Sequence, residues 1–109
     1  MVAQVLDLRT RNRALLARQM LLERRSVRPL TALARLIGMQ AQTPRSPYTA
    51  LWSRLDGFDP MTLSRAIAAR KAVRIAVMRS TIHLVTAADA LRLRPLTQPV
   101  LMRELTAPR

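Results

Sequence analysis

Cysteine is absent from the 109-residue chain, which excludes disulfides and thiolate metal sites. Histidine occurs once, as His83, so a zinc centre would lack ligands, and neither a metal nor a cofactor is expected. No apolar run reaches the roughly 18 residues that span a bilayer. The start, Met1 to Arg13, lacks a basic segment followed by an apolar one. It is expected to be a cytoplasmic start and not a signal peptide. Aromatic residues are scarce, at 3%. Helices that lie on membranes usually carry bulky apolar faces, so no membrane partner is expected. Acidic residues number six.

Against those six stand 19 basic residues, for a net charge of +13. All but Lys71 of the basic residues are arginine. Half the residues are apolar, so the chain has the makings of a folded domain. A basic folded domain points to a polyanion, and nucleic acid is the expected partner. Arginine suits bidentate phosphate contacts. A GC-rich genome would give the same arginine bias, and an anionic membrane would attract the same charge. The length fits one small domain, which at this size buries roughly 60–70% of its unfolded surface.

Thr10 is a cap for a helix from Arg11 to Glu23, with Leu15, Leu16 and Leu22 at helical spacing. A second helix runs from Pro29 to Ile37, with Leu30, Leu33, Leu36 and Ile37 inward, and Gly38 ends it. A polar loop, residues 38–48, follows. A third helix opens at Pro47 and carries Tyr48, Leu51, Trp52 and Leu55 as an apolar stripe, which puts Trp52 in the core. Gly57 ends it. Asp59-Pro60 starts a fourth helix to Arg70, with Met61, Leu63, Ala66 and Ile67 inward. Alternation from Val73 to Val85 predicts a β-hairpin turning at Ser80-Thr81. Thr86 to Asp89 resembles a capping box for a helix from Ala87 to Arg94, broken near Pro95, with a further helical piece from Thr97 to Leu105.

Four helices followed by a hairpin on a basic chain predict a mainly α fold with a small β-hairpin, a winged helix-turn-helix domain. The expected organisation is a lead-in over 1–10, the domain over 11–86 with its hairpin at 73–85, and a helical segment over 87–109.

Arg13 to Gln19, Gly38 to Tyr48, Leu51 to Leu55, and Met78-Arg79-Ser80-Thr81-Ile82-His83-Leu84-Val85 together resemble the N-terminal part of the AlkZ/YcaQ family. The resemblance runs from Arg11 to Val100. It implies a DNA glycosylase of tandem winged-helix domains, several times longer than this chain, that removes N7-alkylated purines and opens some crosslinks. The resemblance also implies a catalytic motif, Gln-Φ-Gln or Gln-Φ-Asp, which falls on Gln40-Ala41-Gln42. Ala41 is a small occupant of the middle position. The implied partner is double-stranded DNA, including alkylated or crosslinked duplexes, with no protein partner.

The chemistry suits the residues. A cationic N7-alkylguanine leaves as a neutral base and needs little acid assistance. An amide holds a water and sets its carbonyl dipole against oxocarbenium charge. Gln40 and Gln42 are the candidate catalytic pair; an i, i+2 spacing in extended chain puts both on one side. The plain alternative is a helix connection whose glutamines face water. Arg45, Arg79 and His83 are the candidate DNA-binding residues. Each has a bland reading beside it: a surface arginine for the first two, a backbone-bonded structural histidine for the third. Two other functions remain open, a non-catalytic winged-helix DNA-binding module such as a transcription regulator, and an inactive fragment.

Overall fold

A computed structural model describes residues 3–108. Met1 and Val2 of the expected lead-in, and Arg109 of the expected C-terminal segment, lie outside them. The described chain is mostly helical with a small antiparallel sheet. Its elements run α1 (Leu8–Arg18), α2 (Pro29–Leu36), β1 (Met39–Gln40), α3 (Ser46–Arg54), α4 (Pro60–Ala68), β2 (Ala72–Ala76), β3 (Ile82–Thr86) and α5 (Ala87–Thr106). The three strands lie in the order β1-β3-β2.

The main core cluster gathers on one side of the sheet. Leu33 of α2, Leu51 of α3 and Leu63 of α4 are fully buried with Leu84 of β3. Met39 and Ala72 close the same cluster from the neighbouring strands. Each buried leucine contributes on the order of 1.5–3 kcal/mol through removal from water. On α3 the buried positions are Pro47 and Leu51, with Leu55 buried just beyond the helix. Those lie four apart, so the core-facing stripe is narrower than the sequence suggests. Trp52 falls beside it and is 57% exposed, contrary to its expected place in the core. Its ring is instead covered by the Arg24 guanidinium, 4.4 Å from the ring centroid, a cation–π contact. On α4 the same narrowing leaves Met61 and Ile67 outside, while Leu63 and Ala66 are buried.

Helices α1, α4 and α5 start at side-chain caps, whereas α2 and α3 have none. Asp59 Oδ1 accepts from the Met61 N–H at 2.9 Å ahead of Pro60. Thr86 Oγ1 accepts from the Asp89 N–H at 3.2 Å. The first helix departs from expectation. Asp7, not Thr10, is the cap, accepting from the Thr10 N–H at 2.7 Å, so α1 starts and ends earlier. That bond holds the Asp7 carboxyl below its usual range. No residue of α1 is buried.

The expected break at Pro95 is also absent: α5 continues through Pro95 and Pro99. Prolines four apart lie on one helix face, and both are exposed. The carbonyls they leave without an N–H partner therefore face water, which lowers the cost of each interruption. Thr97 Oγ1 donates to the Leu93 carbonyl at 3.0 Å within the same turn.

With only two glycines in the chain, other residues take left-handed backbone. Three helices end in the same hydrogen-bond motif. After α2, the Ile37 N–H bonds to the Ala34 carbonyl and the Gly38 N–H to the Leu33 carbonyl. The left-handed residue is Ile37 (φ 52°), with Gly38 next to it at φ 95°. Met20 after α1 and Arg70 after α4 hold the equivalent place, at φ 59° and 58°. A non-glycine side chain there crowds its own carbonyl. Arg70 is exposed and has no buried role. We expect Arg70→Gly to raise stability by about 0.5–1 kcal/mol in urea denaturation, relief of left-handed strain exceeding glycine's entropic penalty; a fall in stability would refute this account of the helix end.

Candidate functional site

The expected hairpin forms. Val73 pairs with Val85 and Ile75 with His83, so β2 and β3 run antiparallel along their length. Its turn is centred one residue earlier than expected, on Arg79-Ser80. Both have positive φ, 52° and 54°, and the Thr81 N–H closes the turn on the Met78 carbonyl at 3.0 Å. This is the backbone of a tight hairpin turn that usually carries Asn-Gly. The segment after Gly38, expected to be loop throughout, instead begins as the edge strand β1. Met39 pairs with Leu84 and Gln40 with His83. A two-residue strand carries no periodic signal, so only the hairpin was legible.

Gly38 is required for this entry. A Cβ there would lie 2.7 Å from Val85 Cγ1 and 3.1 Å from the Leu84 carbonyl oxygen. After Gln40 the chain turns but stays tied to β3. The Ala41 N–H donates to the Ile82 carbonyl at 2.8 Å. The reciprocal donor, the Ile82 N–H, does not go to the Ala41 backbone. It is accepted by Gln42 Oε1 at 2.9 Å. The Ala41 carbonyl accepts from Arg74 Nε at 2.7 Å, and the Gln42 carbonyl from Arg74 Nη2 at 3.0 Å.

Gln40, Arg79, Thr81 and His83 line one small hollow of about 130 Å³ at the sheet edge. His83 Nδ1 lies 2.8 Å from the Thr81 carbonyl oxygen. A carbonyl only accepts, so Nδ1 carries the proton, and in the neutral ring Nε2 is the acceptor. His83 is therefore both bonded to backbone and part of the hollow. No carboxyl group lines it. The Thr81 hydroxyl donates to the Arg79 carbonyl at 3.2 Å, so the hollow offers the Arg79 guanidinium and the Gln40 amide as donors to an anionic or hydroxyl-bearing group, and His83 Nε2 as an acceptor for a hydroxyl.

The five candidate residues are not all together. Gln40, Arg79 and His83 share the hollow. Gln42 is next to it in sequence, but its side-chain oxygen is committed to β3. The i, i+2 rule needs a strand that continues, and β1 stops at Gln40. Arg45 is exposed just before α3, its carbonyl accepting from the Tyr48 N–H at 3.0 Å. Tyr48 packs against the core and shares a 2.7 Å hydrogen bond with the Ser64 hydroxyl. Arg74 and Thr81 were not singled out from sequence. The signals present are the hairpin alternation for Arg74 and, for Thr81, its place in the Met78–Val85 stretch that carries the resemblance.

Larger hollows lie elsewhere. One of about 540 Å³ runs between β2 and α5, lined by Ile75, Ala90, Leu91, Arg94, Pro95 and Gln98. It is apolar, and its two polar side chains are occupied with each other, Arg94 Nε donating to Gln98 Oε1 at 2.9 Å. Its chemistry suits packing, so the smaller polar hollow is the candidate site. Among the described residues no group of three His, Cys, Asp or Glu side chains could hold a metal ion. No described helix is long and apolar enough to cross a membrane.

The model of one protein family, DNA glycosylase AlkZ-like, matches residues 33–109. This interval holds the whole sheet and the hollow; the stretch from Arg13 to Gln19 precedes it. Among solved structures, the DNA glycosylase AlkZ of Streptomyces sahachiroi matches with a TM-score of 0.59 and 27% identity over 65% of this chain. The match spans 19% of that glycosylase's length. No curated protein matches the chain.

The two glutamines separate by stability. Gln42→Ala removes the acceptor of the Ile82 N–H and should cost about 0.5–1.5 kcal/mol, a fall in Tm of roughly 4–8 °C per kcal/mol. Gln40→Ala, at an exposed side chain, should leave Tm within about 2 °C. Thermal unfolding followed by circular dichroism measures both, and equal losses would contradict the geometry.

Proposed function

The chain belongs to the AlkZ-like DNA glycosylase family, and on that premise we propose that it is a winged-helix DNA-binding module of a DNA-repair glycosylase. The proposed reaction is hydrolysis of the N-glycosidic bond of N7-alkylated purines in duplex DNA, including crosslinked duplexes, in the cytoplasm. Three things support the winged-helix part: the succession α2-β1-α3-α4-β2-β3, the strand order β1-β3-β2, and the net charge of +13. In that reading α4 approaches a groove and the hairpin turn meets the phosphate backbone.

The observation that carries the glycosylase reading is the hollow at which the Gln40 amide meets Arg79, Thr81 and His83. Water adds to the sugar C1′ as the bond to N9 breaks. The base takes that electron pair and leaves neutral, and the water gives its proton to solvent. No general acid is required, in keeping with a hollow that no carboxyl group lines. The Gln40 carbonyl dipole holds the water and opposes oxocarbenium charge. Gln42 completes the catalytic pair from its place against β3. Arg79 binds a backbone phosphate beside the lesion, His83 meets the DNA there through Nε2 as an acceptor, and Arg45 binds phosphate further out.

Single-turnover release of 7-methylguanine from methylated duplex tests this reading. Gln40→Ala should slow release about 100-fold, the usual loss for an electrostatic group at the reacting centre, and Gln42→Ala should slow it as well. Unchanged rates in both variants would remove the pair from the mechanism. Duplex binding without any release by the unaltered protein would select a non-catalytic DNA-binding module instead. In the binding assay, Arg79→Ala should reduce the slope of log K against log salt by about 0.9, one phosphate contact.

A further inference from the structure

Arg74 stands on β2, two strands away from β1 in the sheet. It pairs with Leu84, and Leu84 pairs with Met39, so the three residues form one row across the sheet. From the end of that row the guanidinium reaches past β3 to the chain beyond β1. It donates to two consecutive carbonyls, those of Ala41 and Gln42, at 2.7 and 3.0 Å. A planar fork with two donors fixes the orientation of the peptide between them. That peptide is gripped on its other side as well, by the Ala41 N–H to the Ile82 carbonyl and by Gln42 Oε1 from the Ile82 N–H. Ala41 is fully buried in this arrangement.

We propose that Arg74 is a positioning residue that sets the Gln40–Gln42 segment against β3, so that the Gln42 oxygen meets the Ile82 N–H and the Gln40 amide is left to the hollow. The proposal rests on the glycosylase reading for its functional consequence. Its structural part rests on the hydrogen bonds alone. The Ala41 carbonyl is turned to Arg74 and does not meet the Ile82 N–H as it would in a regular ladder. The Gln42 side chain takes that donor instead. Arg74 is itself exposed, while its bond to the Ala41 carbonyl is half-buried. Lysine would keep the charge and lose the fork.

The test uses hydrogen exchange by NMR on the whole chain with Arg74→Ala and Arg74→Lys. We expect exchange at the Ala41 and Ile82 amides to speed up about tenfold or more in Arg74→Ala, the scale of one or two hydrogen bonds. The Val73 and Val85 amides, on the same hairpin, should stay within about threefold, and Arg74→Lys should fall between Arg74→Ala and the unaltered chain. In 7-methylguanine release, Arg74→Ala should lose about tenfold in the single-turnover rate, and Arg74→Lys, with unchanged charge, should recover part of it at equal duplex affinity. Unchanged exchange at Ala41 and Ile82 would overturn the proposal. So would exchange that rises equally along the hairpin, which marks a purely structural role, or full release by Arg74→Ala. If the unaltered protein releases no base, the glycosylase reading fails, and the local exchange pattern with its lysine rescue decides the role of Arg74.

Discussion

The fold depends on one junction, where residues 39–42 lie against β3. Without it the chain would be a set of short helices beside a two-stranded hairpin, and an isolated hairpin is marginal in water. With it, Met39 and Leu84 join one cluster with Leu33, Leu51 and Leu63. The junction sets strict local demands. Gly38 is held by the approach of Val85 and Leu84. Ala41 is fully buried. Gln42 gives its oxygen to a backbone N–H, so the sheet is closed by a side chain where a third ladder rung would stand. Packing and the candidate chemistry therefore meet in four consecutive residues.

The hairpin turn brings the other half of the hollow, and it does so under strain. Arg79 and Ser80 both take left-handed backbone that glycine or asparagine would occupy more easily. Ser80 Oγ is buried without a hydrogen-bond partner among the described residues. Each such feature costs of order 1–3 kcal/mol and is retained where the surroundings over-determine it. Here the return is a guanidinium carried at the tip of a rigid two-stranded arm, beside Thr81, His83 and Gln40. A relaxed Asn-Gly turn would close the hairpin equally well and would leave the hollow without its cation.

The helices that flank this unit are built differently. Neither α1 nor α5 buries a residue. Leu91, Leu96 and Leu105 are each at least three quarters exposed. The radius of gyration, 16.6 Å, exceeds the ~13 Å of a compact chain of this length. Apart from Met20 after α1, the core cluster is thus drawn from the segment from α2 to β3, which lies almost wholly within the interval of the family match. Arg54 ties α1 to that core. Its Nε donates to the Gln19 carbonyl at 2.7 Å and its Nη1 to the Ala50 carbonyl at 3.0 Å, and burial pushes its guanidinium below the ordinary value. An arginine-rich composition thus supplies internal struts, Arg54 and Arg74, as well as surface charge.

Much of the fold was legible in local text. Asp59-Pro60 and Thr86 announce helix starts because caps act within three residues. The alternation from Val73 to Val85 announces a hairpin because the pleat has period two. Gln40, Arg79 and His83 are marked in the sequence by charge, motif and resemblance. What the sequence by itself determined was the type of the longer elements, the basic character and the residues worth suspecting. The tertiary structure decided which of them meet. It drew Met39-Gln40 into the sheet, left Trp52 outside the core, carried α5 through two prolines and divided Gln40 from Gln42. The physical reason is range. Caps and periodicity act over a few residues. Contacts such as Gln42 with Ile82, forty residues apart, and Arg74 with Ala41, thirty-three apart, exist only once the strands have found their register.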